Sequence, residues 1–439
     1  MTNVILITVD CLRADHLGCM GYSRDTSPFL DSLSKKSLFF THAFSNGPNT
    51  RHSVPSFLSS TYPLLFLDEA KGGRFHPGRK SIAEVLKEHG YHTAGIHSNP
   101  YVSSFYGYNR GFDYFNDFLL GQVESDIQEN QLRKKMREGI KGIKAVFFHQ
   151  LPHETGEQIN DVVFQWLEKA SEPFFLWIHY MDVHMPYVPP NKFLKEIDVK
   201  TYSHARKIWM GKKIDDVRLR SEIKDEEIPD YVNLYDGTIR YTDQVINDLI
   251  TNVEQRFSDT LFVITADHGE EFREHGGLSH VEKLYDELLH VPLFFYGKNI
   301  RNEQVDMCVS LIDVAPTILD AIKVSEEPFF GGKNMNDSDG IVFAEAFKDD
   351  RIFSVRSSDW KLIVSPTNKE LYHLSDDASE SKNVYSEEKQ NKQVISLEKK
   401  LDAHTKKVEE AGKIFETIRQ REKIKKISKK IGTSPLKMK

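Results

Sequence analysis

The sequence predicts an α/β protein in which a mostly parallel sheet is sandwiched by helices and followed by a small C-terminal antiparallel α+β subdomain. Six apolar runs of strand length alternate with stretches of helical periodicity up to about residue 325. Beyond that point, short strands follow one another with turns between them. The composition agrees, because 39% hydrophobic and 28% charged residues in a chain of 439 are typical of a globular protein and argue against a collagen or a disordered chain.

The six apolar runs have the length and composition of buried strands. They predict strands at residues 4–9, 38–40, 92–97, 174–179, 261–265 and 291–296. Between them, apolar residues recur three and four positions apart, which predicts helices at residues 27–36, 81–89, 157–170, 231–253 and 311–322. Elements that alternate in this way form largely parallel sheets, which bind ligands at the carboxyl ends of their strands.

The same patterns divide the chain into three parts. Residues 1–325 form the main domain, with polar, helical insertions at about 118–156 and 191–230 on the rim of the sheet. Residues 326–390 form the antiparallel subdomain, with strands predicted at 342–347, 352–355, 361–364 and 371–373. Residues 391–439 form a charged helical tail that ends in a basic segment.

Charge is distributed unevenly along the chain. The net charge is −7, yet the segment from Arg419 onward holds nine basic residues and one acidic residue, Glu422. An acidic body argues against nucleic-acid binding by the main domain. Ile424, Ile427 and Ile431 lie at helical spacing between lysines, which is compatible with weak contact between the tail and an anionic membrane surface. A solvated helix or a disordered end explains the same residues.

The sequence also carries information about the compartment. It contains no stretch of the roughly 20 apolar residues that cross a bilayer, and its N-terminus lacks the basic region and cleavage site of a signal peptide. The cysteines Cys11, Cys19 and Cys308 form neither a C-x-x-C pair nor an even disulfide framework. We therefore expect a cytoplasmic protein.

Polar side chains follow two of the predicted strands. Asp10 comes directly after the first strand, and Asp267 and His268 follow the strand at 261–265. Each residue alone could cap a turn or a helix. Together they would place two carboxylates and an imidazole at one edge of the sheet, where neighbouring carboxylates repel unless a cation or a proton lies between them. The set therefore favours a divalent metal site.

A hydroxyl-rich loop leads into the helical stretch near residue 57 and contains candidate nucleophiles. A hydroxyl that contacts a divalent ion loses its proton more readily, and the start of a helix attracts tetrahedral anions. Ser45, Thr50 and Ser53 all qualify. Each could instead be a helix cap, and spacing alone does not choose among them.

Histidines follow the strand at 174–179 and recur at 275–280. An imidazole at the end of a strand can donate a hydrogen bond to an anionic oxygen or protonate a leaving group. His184 and His280 are candidates for these roles, whereas His275 is expected to be structural.

Six segments, in chain order, read VILITVDCLRADHLG at 4–18, HYMDVHMPY at 179–187, DHGEE at 267–271, LYDELLHVPL at 284–293, DWKLI at 359–363 and ELYHL at 370–374. Together they resemble the sulfatase family within the alkaline phosphatase superfamily, and the match covers residues 3–390 in the family's order. The resemblance implies an alkaline-phosphatase-like fold, with residues 1–325 as its catalytic domain. It also implies a metal-dependent hydrolase of sulfate or phosphate esters.

The resemblance assigns roles to individual residues. Asp10, Asp267 and His268 match metal ligands, and Thr50 falls at the position of the nucleophile and should bind the same metal. The other matches are His184 for contact with the transferred group, His280 for assistance to the leaving group, and Asn99 for further oxyanion contacts.

The nucleophile loop departs from the family pattern. The best-known sulfatases carry C-x-P-x-R or S-x-P-x-R, whose first residue becomes formylglycine, but this chain has TRHSV at 50–54. No formylglycine is therefore expected. The arginine that helps to hold the nucleophile is replaced by Val54, which leaves Arg51 or His52 as a substitute that binds substrate.

The ligand pairs depart as well. The usual two aspartates are Asp10-Cys11 here, and the usual Asp-Asn pair is Asp267-His268. A set that has lost a carboxylate and gained nitrogen suits Mn²⁺ or Zn²⁺ better than Ca²⁺, with Ca²⁺ or Mg²⁺ as the alternatives.

These observations predict hydrolysis of sulfate esters, or of closely related phosphate esters, through a Thr50 nucleophile. The substrate would be a small-molecule or glycan ester. One alternative is a phosphodiesterase or a phospho-group transferase that acts on a glycan or lipid head group. Another is a binding protein that kept the fold and lost turnover.

Overall fold

The computed structural model of the chain describes residues 1–118, 153–325 and 327–431, with side chains up to residue 413. It confirms the predicted α/β architecture, with a large mixed sheet, helices against it, and a separate four-stranded antiparallel sheet. In chain order the strands are β1 (Asn3–Val9), β2 (Leu38–Phe44), β3 (His92–His97), β4 (Tyr114–Asn116), β5 (Phe174–Tyr180), β6 (Thr260–Ala266), β7 (Glu271–Phe272), β8 (Leu278–Ser279), β9 (His290–Tyr296), β10 (Glu303–Val305), β11 (Val309–Ser310), β12 (Val342–Phe347), β13 (Arg351–Arg356), β14 (Trp360–Val364) and β15 (Lys369–His373).

Strand β1 lies inside the main sheet, where all seven of its residues are buried. It pairs in parallel with β5 on one side and β6 on the other. In this register Thr8 lies opposite both His179 and Thr265. The carboxyl ends of the three strands are therefore level, and the residues that follow them meet at one edge of the sheet.

Strand β9 makes the main sheet mixed, because it runs antiparallel to both of its neighbours. The strand order across the described sheet is β10-β2-β9-β6-β1-β5-β3-β4, with β11 beside β2, and β9 is antiparallel to both β2 and β6. The connection between β6 and β9 contains no crossover helix that returns the chain to the opposite edge of the sheet. It instead forms the small β7–β8 ribbon and the short helix Asp286–Leu289 before β9 begins.

The five helices predicted with bounds begin and end within a few residues of the predicted positions. Helix Ile82–Glu88 starts with a capping box between Ser81 and Glu84, a signal that is visible in the sequence. The other helices of the main domain are Pro28–Ser34, Thr50–Ser59, Leu67–Ala70, Gly156–Leu167, Asn191–Glu196, His204–Asp215, Val217–Arg220, Ile228–Glu254, Asp286–Leu289 and Val314–Ala321.

The two predicted insertions have different outcomes. The insertion at 191–230 is helical, with three short helices before the long helix Ile228–Glu254. The insertion at 118–156 falls almost wholly outside the described residues, so its helical character stays a prediction. Among the described residues, no helix is both long enough and apolar enough to cross a bilayer.

The C-terminal sheet has the order β12-β13-β14-β15, and all its pairs are antiparallel. Helices Tyr385–Glu388 and Lys392–Ile431 follow it. A buried lysine connects this sheet to the main domain, because Lys361 Nζ lies 2.7 Å from Asp286 Oδ1 and 2.7 Å from Glu380 Oε1. The side chains of Lys361 and Glu380 are each only 1% exposed. Water therefore cannot solvate these charges, and each is compensated by its partner in the ion pair.

The helical tail packs on the C-terminal sheet through one apolar stripe. Val394, Leu397, Leu401 and Val408 are buried in one cluster with Leu362 and other residues of the sheet. The structure has a helix over Lys392–Ile431, in the part of the chain predicted as a helical tail. The side chains of its basic end lie outside the described residues, and contact with a membrane surface stays a prediction.

We expect Leu397→Ala to lower the free energy of unfolding by about 2–5 kcal/mol, because the truncation leaves a cavity in this cluster. Urea denaturation followed by circular dichroism measures the change. Lys399→Ala is the matched control, since Lys399 is exposed two positions away on the same helix. A Leu397→Ala protein as stable as the control would show that the tail helix does not pack on the sheet.

Candidate active site

Four of the predicted residues meet at the carboxyl edge of the main sheet. Asp10 follows β1, Asp267 and His268 follow β6, and Thr50 is the first residue of the helix Thr50–Ser59. The two carboxylates and the imidazole are completely buried, and Thr50 is 4% exposed. One ligand atom from each of Asp10, Asp267 and His268 lies within 4.8 Å of the others. The structure therefore brings together the residues that the sequence predicted as a metal site.

The hydrogen bonds of His268 fix which ring nitrogen faces this cluster. Its Nδ1 lies 2.8 Å from the carbonyl oxygen of Gly269, which can only accept, so Nδ1 carries the proton. The Nε2 atom then presents a lone pair to three oxygens. It lies 3.6 Å from Asp10 Oδ1, 3.4 Å from Asp267 Oδ2 and 3.4 Å from Thr50 Oγ1.

The carboxylate of Asp267 has one hydrogen-bonded oxygen and one oxygen without a partner. Its Oδ1 accepts hydrogen bonds from the backbone N–H groups of Cys11 at 3.2 Å and His268 at 2.8 Å. Its Oδ2 has no hydrogen-bond partner, although it is completely buried. A buried carboxylate oxygen that faces a lone pair is costly unless a cation compensates it. The donor set thus fits a divalent ion.

The two carboxylates differ in their electrostatic surroundings. Burial alone would raise the pKa of Asp10, but the imidazoles of His184 and His179 outweigh it and hold this pKa well below its ordinary value. Burial raises the pKa of Asp267, and the charge of Asp10 raises it further. Two buried carboxylates this close favour a shared positive charge.

Asp10 Oδ2 has two further partners. Asn99 Nδ2 donates a hydrogen bond to it at 2.8 Å, and His179 Nε2 lies 3.1 Å away. Thr50 Oγ1 lies 3.5 Å from the same oxygen. Asn99 is therefore in the site, where it contacts a predicted metal ligand directly.

His280 and His184 lie beside this cluster. The His280 ring is 4.7 Å from that of His268 and 5.1 Å from that of His184. Nδ1 of His280 is 3.2 Å from Glu270 Oε1, and Tyr187 donates to Glu270 Oε2 at 2.7 Å. Burial lowers the pKa of His280, but Glu270 outweighs it and raises the pKa to about 9. His280 is therefore protonated at neutral pH.

His184 keeps one ring nitrogen available. Its Nδ1 donates to the carbonyl oxygen of Met185 at 2.6 Å, which leaves Nε2 as the atom that can face a ligand. The structure thus places His184 beside His280.

The other residues of the nucleophile loop lie elsewhere. Ser45 Oγ donates to the carbonyl oxygen of Gly47 at 2.7 Å. His52 Nδ1 is 2.6 Å from Asn49 Oδ1, and its Nε2 accepts the Phe347 N–H at 3.2 Å, so it bridges to the C-terminal sheet. Of the two proposed arginine substitutes, His52 is therefore not brought to Thr50.

Arg51 lies farther out than Thr50. Its guanidinium stacks over the Tyr101 ring, 4.3 Å from the centroid. Tyr101 in turn donates its backbone N–H to Asn99 Oδ1 at 2.9 Å. Two residues, Tyr101 and Asn99, thus lie between Arg51 and Asp10, and the predicted role of Arg51 in substrate binding stays a prediction.

Four contributors to the site were not assigned a role from the sequence: His179, Tyr187, Glu270 and Cys11. All four lie within the segments that carry the family resemblance. His179 is the last but one residue of β5, and its position opposite Thr8 places it beside Asp10. His275 is structural as expected, because it stacks on Tyr285 at 3.6 Å and lies 2.7 Å from Glu287 Oε1.

The chain also matches known proteins. The family model described as Sulfatase matches residues 2–324. Human iduronate 2-sulfatase is 28% identical over 343 residues, which are 67% of this chain. The match spans 59% of that relative's length.

Two solved structures show the same fold. The phosphonate monoester hydrolase of Agrobacterium radiobacter superposes with a TM-score of 0.68 at 16% identity, covering 93% of this chain and 96% of its own. A structure solved in complex with its substrate D-glucosamine-2-N,6-O-disulfate gives a TM-score of 0.70 at 17% identity, covering 93% and 98%.

Proposed function

This chain belongs to the sulfatase family, and from that premise we propose that it is a metal-dependent hydrolase of sulfate esters or of closely related phosphate and phosphonate esters. The observation that carries the proposal is the position of Thr50. Its Oγ1 lies 3.4 Å from His268 Nε2 and 3.5 Å from Asp10 Oδ2, in a cluster where Asp267 Oδ2 lacks a partner.

Asp10, Asp267, His268 and Thr50 would hold the divalent ion. Bound there, the ion would offset the two carboxylate charges and lower the pKa of a hydroxyl in contact with it. A donor set that includes an imidazole suits Mn²⁺ or Zn²⁺ better than Ca²⁺ or Mg²⁺.

The chain's own residues then support a displacement in two steps. Thr50 Oγ1 attacks the sulfur or phosphorus atom, with Asp10 Oδ2 within reach of its proton, and a Thr50 ester forms as the bond to the departing alcohol breaks. The protonated His280 gives its proton to the alcohol oxygen. Water then attacks the Thr50 ester and gives a proton to His280, while the Thr50 oxygen takes back its own proton from Asp10 as the anion leaves.

His184 and Asn99 have supporting roles in this proposal. The Nε2 atom of His184, when protonated, donates to an oxygen of the transferred group. Asn99 already donates to Asp10 Oδ2, so we assign it the orientation of this carboxylate.

Thr50 itself favours phosphorus over sulfur as the reacting centre. An unmodified threonine sulfate lacks the aldehyde hydrate through which formylglycine eliminates its sulfate, so the second step is harder for a sulfate ester. Family membership favours sulfate. A phosphodiesterase, or a transferase that passes a phospho-group to a glycan or lipid acceptor, is therefore the second candidate function.

A substrate panel tests the proposal. The protein, loaded separately with Mn²⁺ and Zn²⁺, is assayed with an aryl sulfate, an aryl phosphate, an aryl diester and an aryl phosphonate. A sulfated glucosamine is included because one structural neighbour was solved with such a sugar. We expect metal-dependent turnover of at least one class, lost on chelation and restored by metal. Metal-loaded protein that turns over none of them would favour the binding-protein alternative.

The charge state of His280 gives a prediction for the pH profile. Its protonated form is the acid in the first step and is fully present below a pKa of about 9. We therefore expect kcat/KM to fall as pH rises through about 9. For His280→Asn we expect this limb to disappear, with a loss of roughly 10²- to 10⁴-fold for esters of weakly acidic alcohols and a smaller loss for a nitrophenyl ester.

A profile of His280→Asn that keeps the limb near pH 9 would assign it to another group. A loss that is equal for good and poor leaving groups would show that His280 does not protonate the leaving group.

A further inference from the structure

Cys11 lies in the candidate metal site although its sulfur has no role in the proposed reaction. It follows Asp10 directly and is completely buried. Its Sγ lies 3.0 Å from Asp10 Oδ1 and 3.5 Å from His280 Nδ1. The sulfur also forms a compact set of potential ligands with His268 and His280, and another with Asp10 and His184.

The backbone of Cys11 is held in a conformation that cysteine rarely adopts. Its φ of +63° lies in the left-handed region, which side chains with a Cβ disfavour. Two long-range hydrogen bonds hold it there. The Cys11 N–H donates to Asp267 Oδ1 at 3.2 Å, and the Tyr235 hydroxyl donates to the Cys11 carbonyl oxygen at 2.6 Å.

The hydrogen bonds that hold the Cys11 backbone involve a candidate metal ligand. The acceptor of the Cys11 N–H is Asp267 Oδ1, and the other carboxylate oxygen of Asp267 is buried without a partner. The same carboxylate that needs a cation therefore also sets the backbone of Cys11 and turns its sulfur toward Asp10. Backbone strain that is held by surrounding groups in this way is typical of functional positions.

We propose that Cys11 Sγ is a further ligand of the divalent ion, which rests on the metal site of the proposed function. The donor set would then contain carboxylate oxygens, an imidazole nitrogen and a thiolate sulfur. Such a mixture selects a borderline-soft ion such as Zn²⁺ and disfavours Ca²⁺ and Mg²⁺, whose ligands are almost always oxygen.

X-ray absorption at the zinc edge tests the proposal on the unaltered protein. Zinc-loaded wild type should show one sulfur neighbour at about 2.3 Å beside nitrogen and oxygen neighbours at about 2.0–2.2 Å. The cobalt-substituted protein should show a sulfur-to-cobalt charge-transfer band in the near ultraviolet. Both readouts are independent of turnover.

Variants then identify the sulfur. Cys11→Ser should abolish the charge-transfer band and weaken zinc binding by more than the roughly 10- to 100-fold that loss of an outer-shell partner costs. Cys11→Asp restores a carboxylate and should shift the preference from Zn²⁺ toward Mn²⁺ or Ca²⁺. Cys19→Ser is the control, because Cys19 lies outside the site, and it should keep the band. Circular dichroism confirms that each variant is folded.

The possible outcomes separate this proposal from the proposed function. A zinc ion with only nitrogen and oxygen neighbours, lost in Asp267→Asn, would overturn the role of Cys11 and leave the hydrolase proposal intact. A charge-transfer band that survives in Cys11→Ser would do the same. Wild-type protein that binds neither zinc nor cobalt would overturn the role of Cys11. Protein that binds no manganese either would also overturn the hydrolase proposal.

Discussion

Replacing Thr50 with alanine is expected to lower kcat/KM by at least about 1,000-fold toward every ester that the protein hydrolyses. The reason is that Thr50 Oγ1 is the hydroxyl that lies within 3.5 Å of both Asp10 and His268. Without it, no covalent ester forms. Thr50→Ser keeps the hydroxyl and should retain a measurable part of the activity. Initial rates on the preferred ester, with metal content measured in parallel, give the comparison.

Ser53→Ala is the matched comparison for Thr50→Ala. Ser53 lies on the same helix, is also buried, and its hydroxyl has no hydrogen-bond partner. Spacing in the sequence does not choose between Ser53 and Thr50, so this pair of variants distinguishes the two assignments. If Ser53→Ala inactivates the protein and Thr50→Ala does not, Thr50 is not the nucleophile.

Asp267→Asn is expected to remove the stabilisation that a metal ion gives to the folded protein. For wild type, an ion at 100 times its Kd should raise the free energy of unfolding by about 2.7 kcal/mol. The variant should lose most of this increase, and with it the metal-dependent turnover. Thermal unfolding with and without Mn²⁺ or Zn²⁺ measures the difference.

We also expect an effect of Asp267→Asn on the unfolding temperature of the metal-free protein. Asp267 and Asp10 are buried close together, and both burial and Asp10 raise the pKa of Asp267. Replacing one carboxylate with a neutral amide removes their repulsion. We therefore expect metal-free Asp267→Asn at pH 8 to unfold at the same temperature as metal-free wild type or higher, even though the metal-loaded variant is the less stable of the two.

Asp182→Asn is the control for this experiment. Asp182 is also buried and its Oδ2 has no hydrogen-bond partner, and burial raises its pKa to about 7. Unlike Asp267, it is not among the candidate metal ligands, and its Oδ1 accepts the Gly156 N–H at 3.0 Å. The folded state holds this proton to a higher pH than the unfolded state, so ionised Asp182 lowers stability above pH 7. Asp182→Asn should relieve that cost and keep the full metal effect. Equal metal effects in wild type and Asp267→Asn would contradict the assignment of Asp267.

The strands and helices that depend on a local residue pattern could be predicted from the sequence. Strand β1 is an uninterrupted apolar run because both its faces and both its edges are covered, and such a run is recognisable without a structure. The capping box at Ser81 marks a helix start in the same way. The direction of β9 was not predicted, because it depends on the path of the connection after β6 and not on the residues of the strand.

The site was predicted in part for a similar reason. Asp10, Asp267 and His268 stand next to strand ends, so the rule for parallel sheets brings them together. The contact of His179 with Asp10 joins residues 169 positions apart and depends on the register of β1 with β5, which neither strand encodes alone. The residue pattern alone leaves Thr50 and Ser53 open as nucleophiles, and only the resemblance to the family selects Thr50.

The most direct test of the account is a crystal structure of the protein grown with Mn²⁺ or Zn²⁺ and measured at the absorption edge of that metal. We expect one anomalous peak about 2.0–2.2 Å from His268 Nε2 and from a carboxylate oxygen of both Asp10 and Asp267, with the Thr50 hydroxyl turned toward it. A protein that binds no metal among these side chains, or binds it only at another place, would contradict the account.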